Sequence, residues 1–527
     1  MKVILRLLYQ FHRWLGVALA LFMLLWFLSG LVIMYSDNRT ISRSEQLANA
    51  ESLNRQNGLL SLDESWIRSA GQRTPLVSRT ENADATVVEG HLVNLAGAPV
   101  WLAEDDKGSR YALSAEDGHL LEINAELAID IASRWLTQSG RVSLDKTRYI
   151  DQAENAFVPR NYQALAPFHR IAVNDPAGTE LLISSKTGEV VSENTRLARV
   201  MYLTGNWIHL LKPLDDLGLA DIRKKVQLWL GLSATIASLT GLIIGWLRWR
   251  PGWRGHPTYS SGRKHPYRDI WNTWHFWSGL IGGTLALTWS FSGFIDTNPG
   301  QIFTPAELSR KDLLNYLGTE TVPEKYQWQY GPIWHHEDRH DIVEVTWRRF
   351  QNEALIVTTT RDGRRSTYAI NGEKPNFTAS NLQAAVKRMV PGAEITEQVI
   401  LNDYDSYYYP RHHQNTVDKP LPVLRVQLND SAKTRFYIDP QDGKLLTKLD
   451  SSARLLRWFY SALHHWDFGW LYQRPVWDLW LLLGVGFGLV LSLTSVILGW
   501  KRIGMTFRFK KTKTRSTKSG DNSKLAT

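Results

Sequence analysis

Four of the fifteen histidines in this 527-residue chain stand at matched places in two similar halves. His12 lies in FHRWLGVALALFMLLWFLSGLVI, which starts at Phe11, and His275 in WHFWSGLIGGTLALTWSFSGFID, which starts at Trp274. The two stretches align without a gap, 263 residues apart, with Trp14 on Trp277, Gly16 on Gly279 and Ser29-Gly30 on Ser292-Gly293. His209 falls on His464 at a distance of 255. The same distance puts PFHRIAVND (from Pro167) on PVLRVQLND (from Pro422), Thr187-Gly188 on Asp442-Gly443 and Arg199 on Arg454. Just beyond, SLTGLIIGW from Ser238 resembles SLTSVILGW from Ser492. Neutral imidazole is a common metal ligand. The chain has no cysteine, which excludes disulfides, thiolate metal sites and iron–sulfur clusters. A metal here must be held by His, carboxylate, Tyr or Met.

The elements that carry these histidines are apolar. A bilayer crossing needs about 20 residues at ~1.5 Å rise each, and four stretches qualify: 14–35, 226–247, 274–295 and 477–500. The first is too long for a signal-peptide core and no small-x-small cleavage site follows it, so it is expected to stay as a helix. The 23 Trp suit a chain with membrane–water interfaces. Positive charge is uneven. Lys2, Arg6 and Arg13 precede the first span. Arg248, Arg250, Arg254, Arg263, Lys264 and Arg268, against Asp269, separate the second and third. Nine Lys or Arg, against Asp521, follow the fourth. The rest of the chain is therefore net acidic, although the whole is +10. By the positive-inside rule 1–13, 248–273 and 501–527 are cytoplasmic, and 36–225 and 296–476 lie outside. The basic tail is expected to meet anionic lipid rather than nucleic acid.

The outside segments are expected to be α+β. RYALSAEDGHLLEI, TELLISSKTGEVVSE, RRSTYAINGEKP and TRFYIDPQDGKLLTKL each suggest strand, turn, strand, and AELAIDIASRWL and LQAAVKRMV suggest helices between them. The chain thus reads as a tandem duplication of a span–domain–span unit. Each unit has an even number of spans, so a pseudo-two-fold axis along the membrane normal is expected. Such an axis sets equivalent residues face to face, and a haem iron takes two axial ligands on opposite sides of a flat ring. The prediction is two haem b groups, one held by His12 and His275 near the cytoplasmic face and one by His209 and His464 near the outer face. The irons would be on the order of 20 Å apart. Gly16 and Gly279 would leave room for a macrocycle or simply for close helix packing. The plainer alternative makes all four interfacial or capping residues.

The motifs His12-Arg-Trp-Leu-Gly16 with Ser29-Gly30, Ile208-His209-Leu210 with Thr240-Gly241, and their second copies resemble the PepSY-associated transmembrane proteins, a family that includes inner-membrane siderophore reductases. The hairpins around Gly188 and Gly443 resemble PepSY domains. The resemblance implies a membrane bundle of four helices with periplasmic PepSY-like domains in a bacterial inner membrane. In the reductase members it implies b-type haems passing electrons to a ferric chelate, hence a haem-dependent oxidoreductase. It implies a cytoplasmic or quinol donor, since no nucleotide or flavin motif is visible. The alternative is a non-enzymatic PepSY module that binds a periplasmic protein or peptide and regulates a protease. Two departures stand out. Thr240-Gly241 becomes Thr494-Ser495, and His465 beside His464 is a rival ligand. Outside the repeat, His335, His336 and His340 suggest either a metal cluster or a solvated loop. In the run from Tyr407 to Arg411, and at Pro159-Arg160 in the first half, Arg411 and Arg160 suggest either a grip on haem propionates or an anionic chelate, or a turn beside an edge strand.

Overall fold

The structure, a computed structural model, describes residues 2–36, 41–53, 58–73, 87–141, 147–154, 160–253, 255, 257–306, 308–318, 341–351, 353–369, 372–375, 377–410, 415–471 and 473–521. The chain divides into a helical unit (Met1–Asp37, Val200–Thr304, Leu455–Thr527) and a sheet-rich unit (Asn38–Arg199, Pro305–Arg454).

Four long helices build the first unit: α1 (Lys2–Tyr35), α2 (Ala220–Arg248), α3 (Ile270–Asp296) and α4 (Val476–Asp521). They pack in cyclic order, α1 on α2, α2 on α3, α3 on α4 and α4 on α1. Glycine permits the closest approaches, as small residues do between membrane helices. A Cβ at Gly231 would stand 3.1 Å from the Phe294 backbone, and one at Gly282 would strike the Phe487 Cβ. Three helices, over Val3–Tyr35, Ala220–Arg248 and Val476–Met505, are long and apolar enough to cross a membrane. The third predicted span is a helix of 27 residues, but it does not meet that test. Between Phe276 and Ile295 its buried residues are all small (Ser278, Gly282, Gly283, Ala286, Ser290, Ser292), which suits a helix packed on two neighbours and lowers its hydropathy.

In the sheet-rich unit the strand pairings among the described residues are antiparallel. Strands β1 (Val87–Leu95), β2 (Ala98–Asp105) and β3 (Arg110–Ser114) come from the first outside segment, and β8 (Ile342–Phe350), β9 (Glu353–Thr360) and β10 (Arg365–Ala369) from the second. They form one six-stranded sheet, β10-β9-β8-β1-β2-β3, so the two segments share a sheet through β1 and β8. Each segment adds a four-stranded meander. One comprises β4 (Arg148–Ala153), β5 (Phe168–Ala172), β6 (Glu180–Ser184) and β7 (Val190–Asn194). The other comprises β11 (Ile395–Leu401), β12 (Val423–Leu428), β13 (Arg435–Ile438) and β14 (Leu445–Leu449). The helix Ala125–Gln138 buries Ala128, Ile131 and Trp135 against Ile171, Leu181 and Ile183 of the first meander. The helix Ala379–Met389 buries Leu382, Val386 and Met389 with Val426 and Phe436 of the second. The hairpins at Gly188 (φ 72°) and Gly443 (φ 66°) form as the sequence suggests. The one after β3 shrinks to a single Leu113–Leu120 bridge, since the chain must reach Asn124, which caps the next helix.

The β1–β8 seam buries charge. Glu344 on β8 is paired with Arg43 and lies 3.3 Å from the His91 Nδ1; the His91 Nε2 is 3.3 Å from Glu89. Burial works against the His91 imidazolium, but the Glu344 and Glu89 carboxylates outweigh it and push its pKa up to about 9.

Candidate metal centres

The helical unit brings the four matched histidines together in two pairs. The His12 ring on α1 and the His275 ring on α3 have centroids 6.5 Å apart. Those of His209 and His464 are 6.3 Å apart. The two outer histidines are carried in the same way: a π-helical turn, Leu203–Trp207 or Arg457–Ala462, runs directly into the short helical stretch that holds each. Such turns widen the helix locally and re-aim the side chains that follow, often at functional sites. Trp26 donates its indole N–H to the His209 carbonyl (3.0 Å), and Trp289, its counterpart in the repeat, donates to the His464 carbonyl (2.9 Å). His464, not His465, faces His209. Tyr460 stacks on His464 and meets His465 edge-on, and the His465 carbonyl accepts from the Trp477 indole.

Hydroxyls hold all four rings by the same nitrogen. His209 Nδ1 is 3.0 Å from the Ser29 Oγ, and His464 Nδ1 is 3.0 Å from the Ser292 Oγ. His12 Nδ1 is 3.1 Å from the Thr240 Oγ1, and His275 Nδ1 is 3.3 Å from the Thr494 Oγ1. Each hydroxyl spends its proton on a carbonyl one turn back: Ser29 on Leu25 (2.7 Å), Ser292 on Thr288 (2.7 Å), Thr240 on Ile236 (2.8 Å) and Thr494 on Val490 (2.8 Å). It therefore accepts from the imidazole, which puts the ring hydrogen on Nδ1 and leaves the lone pair on Nε2. At His12 the Ala237 carbonyl, 3.2 Å from Nδ1, can only accept and requires the same tautomer. A histidine that ligates a metal through one nitrogen normally has the other held in this way.

The inner pair opens on a cavity of about 590 Å³ that Gly16, Gly241, Gly279 and Gly283 help to line, within the usual range for a ligand site. Gly16 leaves open space there, whereas a Cβ at Gly279 would touch Leu491 at 3.4 Å. Gly241 is tighter, because a Cβ would come within 2.8 Å of the His12 Cε1. The Ser495 that replaces this glycine in the second half is accommodated: its Oγ lies 3.4 Å from the His275 Nδ1 as a second polar contact. Around the outer pair, Gly30 and Gly293 sit against the rings, with a Cβ at 3.6 Å from His209 and 3.7 Å from His464. The partner hydroxyls and indoles were visible in the sequence only as repeated letters. Their offsets of 263 and 254 were the available signal.

The other candidates fall elsewhere. His335, His336, His340, Pro159 and Arg411 lie outside the described residues. Tyr407 to Pro410 form a turn after the edge strand β11, with the Tyr407 and Tyr408 amides on the Asp405 carboxylate and Tyr408 buried on Tyr437. Among the described residues no three His, Cys, Asp or Glu gather as a metal site; each cluster is a pair of histidines.

A search of curated proteins finds no match to the chain. Residues 9–326, which hold His12, His209 and His275, match the family model described as the PepSY-associated TM region. That is more than half of the chain, and the protein belongs to this family.

Proposed function

We propose that the protein is an inner-membrane electron-transfer protein holding two b-type haems, one between His12 and His275 and one between His209 and His464. In this reading it passes electrons from a cytoplasmic or quinol donor to a periplasmic acceptor, a ferric siderophore or another Fe(III) chelate. The spacing of the ring pairs is the observation that carries it. Two imidazoles on opposite sides of one metal, each nitrogen about 2.0–2.1 Å from it and roughly 1.1 Å in front of its own ring centre, have centroids about 6.3 Å apart. The pairs measure 6.5 and 6.3 Å. Donor number agrees: a protein zinc site takes three or four protein ligands, whereas a haem iron needs two axial ones. The matched hydroxyls, π turns and indoles support a two-fold relation between duplicated halves. The basic segments at 1–13, 248–273 and 501–527 support cytoplasmic termini, with α3 as a fourth crossing helix.

When bound, haem would supply reversible one-electron chemistry between Fe(III) and Fe(II). The chain's part is to hold and insulate. Ser29, Ser292, Thr240 and Thr494 fix the ring tautomers and raise the basicity of Nε2. Trp26 and Trp289 tie the outer histidines' backbone to α1 and α3. From His12 to Ser29 is seventeen residues of one helix, about 26 Å of rise, which puts the two pairs near opposite faces of a ~30 Å hydrocarbon layer. For the ferric substrate, reduction weakens the grip of hard oxygen ligands, which prefer the more highly charged ion.

The test is spectroscopic. Protein purified in detergent from haem-replete cells should be red, with a Soret band and sharp α-bands on reduction. His12→Ala should remove one haem of two, His209→Ala the other, and His465→Ala neither. A colourless wild-type protein would sink the reading and favour the protease-regulating PepSY module. Reoxidation of the reduced protein by a panel of ferric chelates identifies the acceptor.

A further inference from the structure

The mouth of the inner cavity carries a matched pair of arginines. Arg248 on α2 and Arg502 on α4 both line it. Each stands seven residues beyond the residue that touches an inner histidine, Gly241 for His12 and Ser495 for His275. Seven residues are close to two turns, so each arginine lies on the same helix face as that contact, about 10 Å further along. The distance of 254 that sets Thr240 on Thr494 also sets Gly245-Trp246-Leu247-Arg248 on Gly499-Trp500-Lys501-Arg502. The two arginines are thus matched along the sequence as the two histidines are. Phenols steady Arg248: its Nη1 donates to the Tyr267 hydroxyl (3.0 Å), and it lies 4.4 Å from the centre of the Tyr9 ring. Asp269, also at the mouth, is engaged in capping α3, where it accepts from the Asn272 amide and side chain.

A b-type haem carries two propionate carboxylates on one edge. The axis in the ring plane that runs between them and through the iron exchanges the two carboxylates, and it also exchanges the two faces of the ring. A two-fold that swaps His12 with His275 therefore sets matched residues at the two carboxylates; Arg13 and Lys501 also line the cavity, but of its cations only Arg248 and Arg502 are matched to each other at the distance of 254. We propose that Arg248 and Arg502 grip the two propionates of the inner haem, one each, and hold that edge toward the cytoplasmic end of the bundle. The proposal rests on the haem reading above. Guanidinium binds carboxylate bidentately. It binds lipid phosphate by the same chemistry, but these two arginines line the histidines' own cavity.

The experiment is a spectroelectrochemical titration of Arg248→Leu, Arg502→Leu, the double variant and the two lysine variants. Each is reconstituted in neutral and in phosphatidylglycerol-containing nanodiscs, and His12→Ala and His209→Ala assign the inner and outer waves. Loss of a cation beside the ring favours the ferric state. The inner wave should therefore move to lower potential in each leucine variant and further in the double one. Lysine should restore part of the shift, and the outer wave should stay. Haem loss from the inner site should be 10–100-fold faster, as for other outer partners of a metal group. If the leucine variants shed the inner haem, the lysine variants still report, through a smaller shift of the same sign. Wild-type protein without haem overturns the underlying reading. Two haems with an unmoved inner wave in every variant, lysine included, overturn the clamp alone. A shift confined to phosphatidylglycerol discs also overturns it and assigns the arginines to lipid headgroups.

Discussion

A methyl group at position 241 is a sharp perturbation of the inner pair. In Gly241→Ala the new Cβ would lie 2.8 Å from the His12 Cε1 and 3.6 Å from both ring nitrogens. Carbon–carbon contact is comfortable only from about 3.5 Å, so the ring must retreat about 0.7 Å or α1 must part from α2. The Nδ1 contacts to Thr240 (3.1 Å) and Ala237 (3.2 Å) then stretch to as much as about 3.8 and 3.9 Å, beyond a hydrogen bond. Ligand geometry tolerates errors of about 0.5 Å, and losing an outer partner of a metal-bound histidine costs 10–100-fold in affinity, about 1.4–2.7 kcal/mol. With the pairs holding haem as proposed, the assay is haem transfer from reduced and oxidised protein to an apoprotein scavenger. The inner site should release 10–100-fold faster, with the outer site as internal control. Ser495→Gly, which removes a 3.4 Å contact and adds no clash, should change release much less. Equal inner-site release from Gly241→Ala and wild type would refute the claim that this glycine positions His12.

Ser29→Ala and Ser292→Ala each remove the acceptor for an outer Nδ1 hydrogen. Each should weaken outer haem retention about 10–100-fold and leave the inner site alone, with Ser29→Thr close to wild type; pyridine haemochrome content after dilution measures it, and unchanged retention in both alanine variants would remove the tautomer argument. The β1–β8 seam should weaken in alkali. The folded His91 pKa of about 9 lies above the unfolded value of 6.5, so its contribution is full below pH ~6.5 and is lost as pH rises through 9. Melting temperature should fall between pH 7 and 9.5, and by less in His91→Gln; identical slopes in the two proteins would show that the imidazolium does not stabilise the seam.

Much of the candidate site was legible in the sequence because several stretches of the chain have a matching stretch some 255–263 residues further on. Two copies of an apolar stretch, each opening on histidine, mark His12 and His275 without any geometry, and the alternating strand patterns and Gly turns around Gly188 and Gly443 mark the meanders. Those signals are local: periodicity, turn chemistry and offset survive in one dimension. The ungapped repeat already favours His464 over His465, but neighbouring residues on a helix point about 100° apart, and the ring that stands beside His209 is seen only in the folded chain. The roles of Ser29, Ser292, Thr240 and Thr494, whose hydroxyls act on histidines 172 to 228 residues away, were not legible, nor was the shared sheet, where β1 and β8 pair across some 250 residues. The sequence by itself determined which side chains were present in pairs. Tertiary packing decided which rings stand together and which nitrogens are tied to hydroxyls, because direction and distance between remote helices arise only when their surfaces meet.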